Sequence, residues 1–343
     1  MVGPPRDRAA AQRGLRVSRE TGSGVSRETE RRALRFRPVP GNRWTDDHHV
    51  GQPGPMHSPS PLSLVDLPVR RLTRGDLVSC ADLSESRSWP RDEHRWGLLL
   101  SAGTGYGIED PEGKGLIAAC VMTSYGPRLA AVGMLLVAER HARQGIARRL
   151  MRHVMAEAGS TPLALYSTSE GQRLYEQLGF TQVGRTQRVL GRFRPEDRPA
   201  AVATRAAAAD DLQAMIRLDL PVFGIDRTHI IARLPAFADR IQVAEENGEL
   251  IGYAALWPSG DAHAVGPLVA RDTVTAKALV TAVAGTTDRP LRADVDARHD
   301  ELLGWLVERG LERGSGTAVM TYGIADLPGD AGRRFAPLTV ATG

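Results

Sequence analysis

The amino-acid sequence predicts an α+β protein of two tandem domains, each with a mixed, mostly antiparallel sheet flanked by helices. Two observations support this. An apolar strand over 129–137 is followed by a short basic turn with one glycine, and an amphipathic helix begins directly after the turn. The order of strands and helices over 69–190 then recurs over 201–322, although the residues differ. A chain of 343 residues is also longer than one hydrophobic core usually serves.

The elements of the first domain follow from apolar spacing and capping residues. The predicted order is strand 69–72, helices 73–84 and 89–100, strands 105–108, 115–123 and 129–137, helix 144–157, strand 163–166, helix 169–178 and a strand pair over 180–190. Ser169 is the predicted N-cap of the last helix, and Gly179 its stop. Helix 144–157 has a buried face of Ile146, Leu150, Met151, Val154 and Met155.

The second domain follows the arginine- and proline-rich linker 192–199. Its predicted order is strand 201–205, helices 209–219 and 227–236, strands 240–245, 250–257 and 263–269, helix 272–284, strand 291–295, helix 298–309 and strand 317–322. We therefore place the two domains at 66–192 and 200–326, with a tail over 327–343.

Residues 1–64 are rich in Arg, Pro, Gly and Ser without an apolar period, which predicts a disordered extension. Within it, Val17–Thr21 recurs as Val25–Thr29. The DNA that encodes Val-Ser-Arg-Glu-Thr can form a palindrome that resembles bacterial centromere-like sites. Our hypothesis is that this segment is upstream DNA read as protein and that translation begins at Met56. Intact-mass measurement of the natively expressed protein tests this, and a species that begins before Met56 would contradict it.

Composition narrows the class of function. The chain has a net charge of +4, but residues 1–55 alone contribute +5, so the remainder is near neutral and a folded nucleic-acid-binding face is not expected. Cys80 and Cys120 lack metal-ligand spacing, and we expect reduced, packed thiols and no metal. Neither a membrane-spanning run nor a signal peptide is present, so we expect a cytoplasmic protein without membrane partners. We also expect a bacterial protein that is a monomer or homodimer.

The strand–turn–helix at 132–150 is the most informative motif. A helix that starts at a strand's exit presents unpaired N–H groups and the positive end of its dipole. Gly145 lets the backbone approach a ligand closely, and amides from Arg143, Gln144, Gly145, Ile146 and Ala147 can point at a diphosphate.

The turn, the preceding strand and the segment 174–180 (LYEQLGF) make residues 69–190 resemble a GNAT-family N-acetyltransferase domain. Family members usually have Gln or Arg where this chain has Ala142, with Arg143 beside it. The resemblance implies that acetyl-CoA lies along the strand. Main-chain groups of Leu135, Leu136 and Val137 would pair with its pantetheine, and Arg148 could meet the ribose phosphate.

Tyr175 is the predicted catalytic residue, since family members have a tyrosine there and a phenol can protonate the leaving thiolate. Core packing is the alternative role for Tyr175. No general base is identified, because Glu109, Asp110 and Glu112 lie in a turn and are expected to be solvated.

The second domain has no glycine in the equivalent turn, and Asp272 is expected to cap the helix there, which predicts that it does not bind CoA. This half resembles the GNAT-like C-terminal domain of YitH/HsaC-type acetyltransferases, through residues 218–219, 223–227, 252–253, 266–270 and 320–323. Asp219, Asp226 and Arg227 form either a polar substrate site that faces the first domain or an Asp–Arg pair that fixes a loop.

The sequence therefore predicts an acetyl-CoA-dependent N-acetyltransferase that moves an acetyl group directly to a primary amine of a small molecule or peptide. The alternative is a regulatory protein that binds acyl-CoA or a small ligand on a degenerate GNAT fold.

Overall fold

The structure of the protein, a computed structural model, describes residues 66–195 and 201–343. The predicted extension 1–64 and the alternative start at Met56 lie outside these residues. The described residues form one sheet of thirteen strands and nine α-helices.

The first half follows the predicted order closely. Its elements are β1 (Val69–Leu72), α1 (Leu77–Glu85), α2 (Glu93–Ala102), β2 (Thr104–Glu109), β3 (Leu116–Ser124), β4 (Ala130–Val137), α3 (Ile146–Ala158), β5 (Leu163–Ser167), α4 (Ser169–Gln177) and β6 (Thr181–Gly191). The strand pair predicted over 180–190 is wrong, because β6 is a single long strand. The predicted cap is wrong by one residue: Thr168 has extended backbone and its Oγ1 accepts the Gly171 N–H, so Thr168 is the N-cap of α4.

The second half contains short helices where the sequence predicts one longer helix. Its elements are β7 (Thr204–Ala206), α5 (Asp211–Phe223), α6 (Thr228–Ile231), α7 (Leu234–Phe237), β8 (Arg240–Glu246), β9 (Glu249–Ser259), β10 (Ala262–Ala270), α8 (Thr273–Ala284), β11 (Leu291–Asp296), α9 (Asp300–Glu308), β12 (Leu311–Tyr322) and β13 (Arg334–Ala336). The helix predicted over 227–236 breaks because Pro235 has no N–H to bond back to the preceding turn, so α7 restarts with that proline in its first turn.

The two halves exchange their last long strands. The sheet order is β1-β2-β3-β4-β5-β12-β6-β11-β10-β9-β8-β7, with β13 beside β10. Strand β12 of the second half pairs with β5 over Ala318–Tyr322, and β6 of the first half pairs with β11 over Thr186–Gly191. One hydrogen-bonded sheet therefore runs through both halves.

Helices on opposite faces of β4 build separate cores. Ala130 and Val132 pack with α3 residues such as Ile146 and Leu150. Leu129 and Ala131 pack on the other face with Phe223 and Ile225 from the second half, in a cluster that also holds Leu98, Ala164 and Trp257. Between these two cores, β4 separates from β5 beyond Val132.

Candidate active site between β4 and β5

A gap opens between β4 and β5. The two parallel strands pair at only three positions, from Ala130–Leu163 to Val132–Leu165. Beyond Val132, β4 contains a bulge: its register with β3 shifts by one residue, and Met134 has φ +54°. On one edge, Leu136 and Val137 still pair with β3. On the other edge, this half of β4 has no β5 partner among the described residues. The main-chain edge there can accept an added strand.

The turn after β4 presents backbone N–H groups. Arg143 and Gly145 both have left-handed φ, +61° and +80°, on either side of Gln144. Gly145 is the N-cap of α3 and has no side chain that could accept a hydrogen bond. No capping side chain therefore covers the N–H groups of Ile146 and Ala147 in the first turn. Residues 143–145 are exposed, and a Cβ built on Gly145 meets nothing within 4 Å. Such a concave set of amides binds anions.

Asp110 holds this turn to the β2–β3 hairpin. Its carboxylate is 6% exposed and accepts Arg140 Nη2 at 2.6 Å and the Glu112 N–H at 2.8 Å. Burial opposes the charge, but these hydrogen bonds keep the pKa of Asp110 below its ordinary value. The expectation of a solvated charge is therefore wrong for Asp110, whereas Glu109 and Glu112 are exposed.

Arg148 lies one turn into α3 and is half-buried. Its Nη2 donates to Gln177 Oε1 on α4. The side chain thus links the helix that begins after the turn 143–145 to the helix that contains Tyr175.

Tyr175 points from α4 toward the gap. Its ring packs against the α3 core and meets Phe180 edge-on at 5.8 Å between centroids. Gly171 makes room for it: a Cβ there would lie 3.2 Å from Tyr175 Cε2 and 3.2 Å from Ser167 Oγ, at the end of β5. Burial raises the pKa of the Tyr175 phenol, and a smaller contribution comes from the Cys120 thiol, which contacts the Gly133 carbonyl of β4 at 3.6 Å. Tyr175 is therefore a neutral phenol at the gap at pH 7.

The three predicted substrate residues line a cavity of about 150 Å³ in the second half. Arg227 donates Nε and Nη2 to the two oxygens of Asp219, both at 3.0 Å, and both side chains are buried. Tyr253 donates its OH to the same carboxylate, and the guanidinium lies 3.2 Å over the Phe223 ring. Asp226 is exposed, and its Oδ1 accepts the Thr228 N–H at 2.8 Å, so its carboxylate is not part of the Asp219–Arg227 pair.

The equivalent turn of the second half is closed. Asp272 is the N-cap of α8, and its Oδ1 accepts both the N–H and the hydroxyl of Thr275, at 2.8 and 2.7 Å. The predicted cap is confirmed. A carboxylate at this helix start repels a second anion.

Family models match both halves. An acetyltransferase (GNAT) domain model matches residues 104–182, and a second model with the same description matches 215–336. Together they cover more than half of the chain. The chain belongs to the GNAT acetyltransferase family.

Several known proteins are similar to this tandem GNAT chain. The uncharacterised N-acetyltransferase YitH of Bacillus subtilis (strain 168) is 26% identical over 238 residues, which are 68% of this chain and 84% of YitH. A crystal structure of a Pyrococcus horikoshii protein assigned as an acetyltransferase matches with a TM-score of 0.69 at 17% identity, over 84% of this chain and all of that one. A tandem GNAT protein from the clavulanic acid biosynthesis pathway matches with a TM-score of 0.57 at 14% identity, over 76% of this chain and 99% of its own.

The family establishes the general activity. The protein is an acyltransferase; GNAT domains generally use acetyl-CoA and act on amine acceptors. No helix in the described ranges has both the length and the apolar character to cross a membrane. Cys80 and Cys120 are free and buried, which confirms the expectation that both are packed residues.

Sequence reasoning missed two features near the gap. Gly133 lies at the bulge of β4, and Tyr125 directly follows β3, but neither belongs to a motif. The segment 327–343 was predicted to be a tail outside both domains, yet Phe335, Leu338 and Thr342 are almost fully buried. The apolar run from Phe335 to Ala341 is a signal that could have indicated packing.

Proposed function

We propose that this protein transfers the acetyl group of acetyl-CoA directly to a primary amine of a small molecule or peptide, once per chain, in the first half. The supporting observation is that the exposed turn 143–145 and the half-buried, neutral Tyr175 flank the same gap between β4 and β5. Family membership supports the reaction type.

The cofactor is proposed to run from the turn into the gap. The backbone amides of 143–147 hold the diphosphate, with Gly145 giving the left-handed conformation that the turn requires. Pantetheine amides pair with the free edge of Leu135–Val137. Arg148 lies close enough to the turn to meet the ribose phosphate after leaving Gln177.

The chemistry is proposed to take place beside Tyr175. The neutral amine attacks the thioester carbonyl to form the C–N bond, the C–S bond breaks, and the phenol donates its proton to the departing thiolate. The nitrogen releases one proton as the amide forms, and water carries that proton back to the tyrosinate. Burial raises the pKa of the phenol, so it is protonated at pH 7 and available as a donor to the departing thiolate; its place beside the gap, and not acid strength, supports this role.

The second half is proposed to shape the acceptor side rather than to bind a second CoA. The Asp272 cap occupies the anion position of its own turn. Phe223, Ile225 and Arg227 instead line a cavity against β4 and β5 of the first half.

The test combines calorimetric titration of acetyl-CoA with thiol release on a panel of amines: a polyamine, an aminoglycoside, an amino-acid amide and a peptide with a free amino group. We expect one acetyl-CoA bound per chain and release of CoA with at least one amine. Binding without turnover on every amine would favour a ligand-binding regulatory protein, and absence of binding would contradict the proposal.

A further inference from the structure

The segment Leu338–Gly343 borders the gap between β4 and β5 on the face of the sheet opposite α3 and the proposed cofactor turn. Ala341 packs against β4 with Met134 and Leu136, whereas Tyr175 packs with α3 on the other face. The fit at the bulge is close: a Cβ at position 133 would lie 2.5 Å from Ala341 Cα and 2.6 Å from its Cβ. Only a glycine at 133 allows the segment to approach β4 in this way.

Two polar side chains hold the backbone carbonyls of this segment. Tyr125 donates its buried OH to the Thr342 carbonyl, and Arg227 donates Nη1 to the Gly343 carbonyl at 2.7 Å. Asp219 fixes the guanidinium through its other nitrogens. The contacts are of the kind that would bind a peptide.

A tight turn gives the segment its shape. The N–H groups of Thr342 and Gly343 both donate to the Thr339 carbonyl at 3.1 Å, and the Ala341 N–H donates to Thr339 Oγ1 at 3.0 Å. Ala341 and Thr342 are 3% and 0% exposed. The segment is therefore a defined part of the site.

Almost no space remains beside this segment. The cavity bounded by Ala131, Ala164, Phe223 and Thr342 has a volume of about 30 Å³. That volume holds about one or two water molecules, whereas small-molecule sites measure about 300 Å³ or more. No acceptor amine fits there while the segment is in place.

We propose that Leu338–Gly343 is a built-in plug of the acceptor side of the gap, and that the acceptor binds by displacing it. Tyr125 and Arg227 then donate to a carbonyl or carboxylate oxygen of the acceptor, as they now do to the carbonyls of the plug. The acceptor class that this chemistry fits is an amine with a backbone-like carbonyl or a carboxylate. The inference rests on the proposed function, because it takes this face as the acceptor side.

The plug has a measurable cost for acceptor binding. If the open state is populated about 10% of the time, the apparent affinity for the acceptor is reduced about tenfold. Displacing the plug also exposes the thioester to water, which would cleave acetyl-CoA to acetate and CoA without an acceptor.

Ala341→Asp in the full chain tests the plug, because it places a carboxylate against the β4 backbone. Ala325→Asp, the same change at an exposed position, is the matched control. For Ala341→Asp we expect faster hydrogen exchange at 338–343, acceptor-independent acetyl-CoA hydrolysis raised about tenfold, and a similarly lowered KM for amino-acid and dipeptide amines relative to their decarboxylated analogues. The control should match the wild type.

Tyr125→Phe provides a second variant that keeps the apolar ring and removes only the hydrogen bond to Thr342. It should speed hydrogen exchange at 338–343 and raise acceptor-independent hydrolysis by a smaller factor, without lowering KM, because the same hydroxyl is a proposed donor to the acceptor. Unchanged hydrolysis in both variants and unchanged KM in Ala341→Asp, with normal acetyl-CoA binding by calorimetry, would overturn the plug alone. Failure of the wild-type chain to bind acetyl-CoA would instead contradict the proposed function and the plug together.

Discussion

Tyr175 lies in an environment that suits proton donation more than proton abstraction. Burial raises the pKa of its phenol above the ordinary value of about 10, so the group is neutral at pH 7. A thiolate that develops near it is a stronger base than the surrounding water. Packing and catalysis are therefore compatible roles for this residue, and kinetics can separate them.

Replacing Tyr175 with Phe should lower kcat by about 100-fold, because a positioned general acid contributes about 10²–10⁴ to the rate. The dissociation constant of acetyl-CoA should change little, since the ring and its contacts remain. Tyr106→Phe is the matched control, because Tyr106 is buried in the same cluster and donates at 3.4 Å to Glu157. Equal kcat values for the two variants would assign Tyr175 to packing.

Gly145 is required for its conformation, whereas the space around it is open. An alanine at φ +80° costs about 1–2 kcal/mol, and relaxation of that strain would move the amides of the turn. We expect Gly145→Ala to weaken acetyl-CoA binding at least about tenfold, which corresponds to about 1.4 kcal/mol.

Gly159→Ala is a stringent control for that change. Gly159 ends the same helix, has φ +60°, and also has nothing near a built Cβ. It should lower the melting temperature at least as much, because its ψ of −119° lies outside the αL region, and leave acetyl-CoA affinity intact. If both alanines weaken acetyl-CoA binding equally, the loss comes from reduced helix stability, and the proposal that the backbone amides of 143–147 hold the diphosphate is wrong.

At the scale of elements, the β2–β3 hairpin positions the β4–α3 turn through an ion pair between the buried Asp110 and the exposed Arg140. Asp110→Asn should reduce acetyl-CoA affinity several-fold, because a charge-assisted hydrogen bond contributes about 1.5–3 kcal/mol and only part of it acts on the turn. Asp211→Asn breaks a comparable pair with Arg205 in the second half and should leave acetyl-CoA affinity unchanged. Calorimetry on both variants makes the comparison.

The same pair gives a pH dependence with a definite sign. The pKa of Asp110 is lower in the folded than in the unfolded state, so its contribution to stability is present above about pH 4 and is lost as pH falls through the folded-state pKa. The difference in melting temperature between wild type and Asp110→Asn should thus be full at pH 7 and shrink below about pH 4. A difference that stays constant at low pH would show that the carboxylate charge does not stabilise the turn.

Elements were predictable where local chemistry decides them. The apolar face of α3, the αL glycine before it and the Asp272 cap all follow from spacing and side-chain type. The cap at Thr168 was missed by one residue, because Thr168 and Ser169 have similar capping propensity. The helix break at Pro235 was missed although a proline inside a predicted helix is a local signal. The role of Asp110 was not predictable, because Arg140 lies thirty residues away in sequence.

At the scale of the whole molecule, the exchange of β6 and β12 joins the halves more tightly than a linker between two independent domains. Thr186 and Thr317 hydrogen-bond at 2.7 Å between these strands. No local pattern in either strand indicates its partner, so the tandem arrangement was predictable and the exchange was not. The apolar run from Phe335 to Ala341 indicates burial, but the partners of 338–343 lie in both halves and cannot be read from that run.

Strand exchange predicts that the halves unfold together. Because β12 supplies a neighbour to β5, loss of the second half removes hydrogen bonds from the first. In urea, hydrogen exchange in β3 and in β9 should reach its midpoint at one denaturant concentration, as expected for a single cooperative unit. Two separated midpoints would show that each half keeps its fold without the exchanged strand.

The central claim is that the β4–α3 turn holds acetyl-CoA once per chain, beside Tyr175. Its most direct measurement is calorimetric titration of the wild type, Gly145→Ala and Asp272→Asn with acetyl-CoA. The account predicts one site per chain in the wild type, at least about tenfold weaker binding in Gly145→Ala, and unchanged stoichiometry and affinity in Asp272→Asn. Two sites per chain, or binding that Gly145→Ala leaves unchanged, would contradict it.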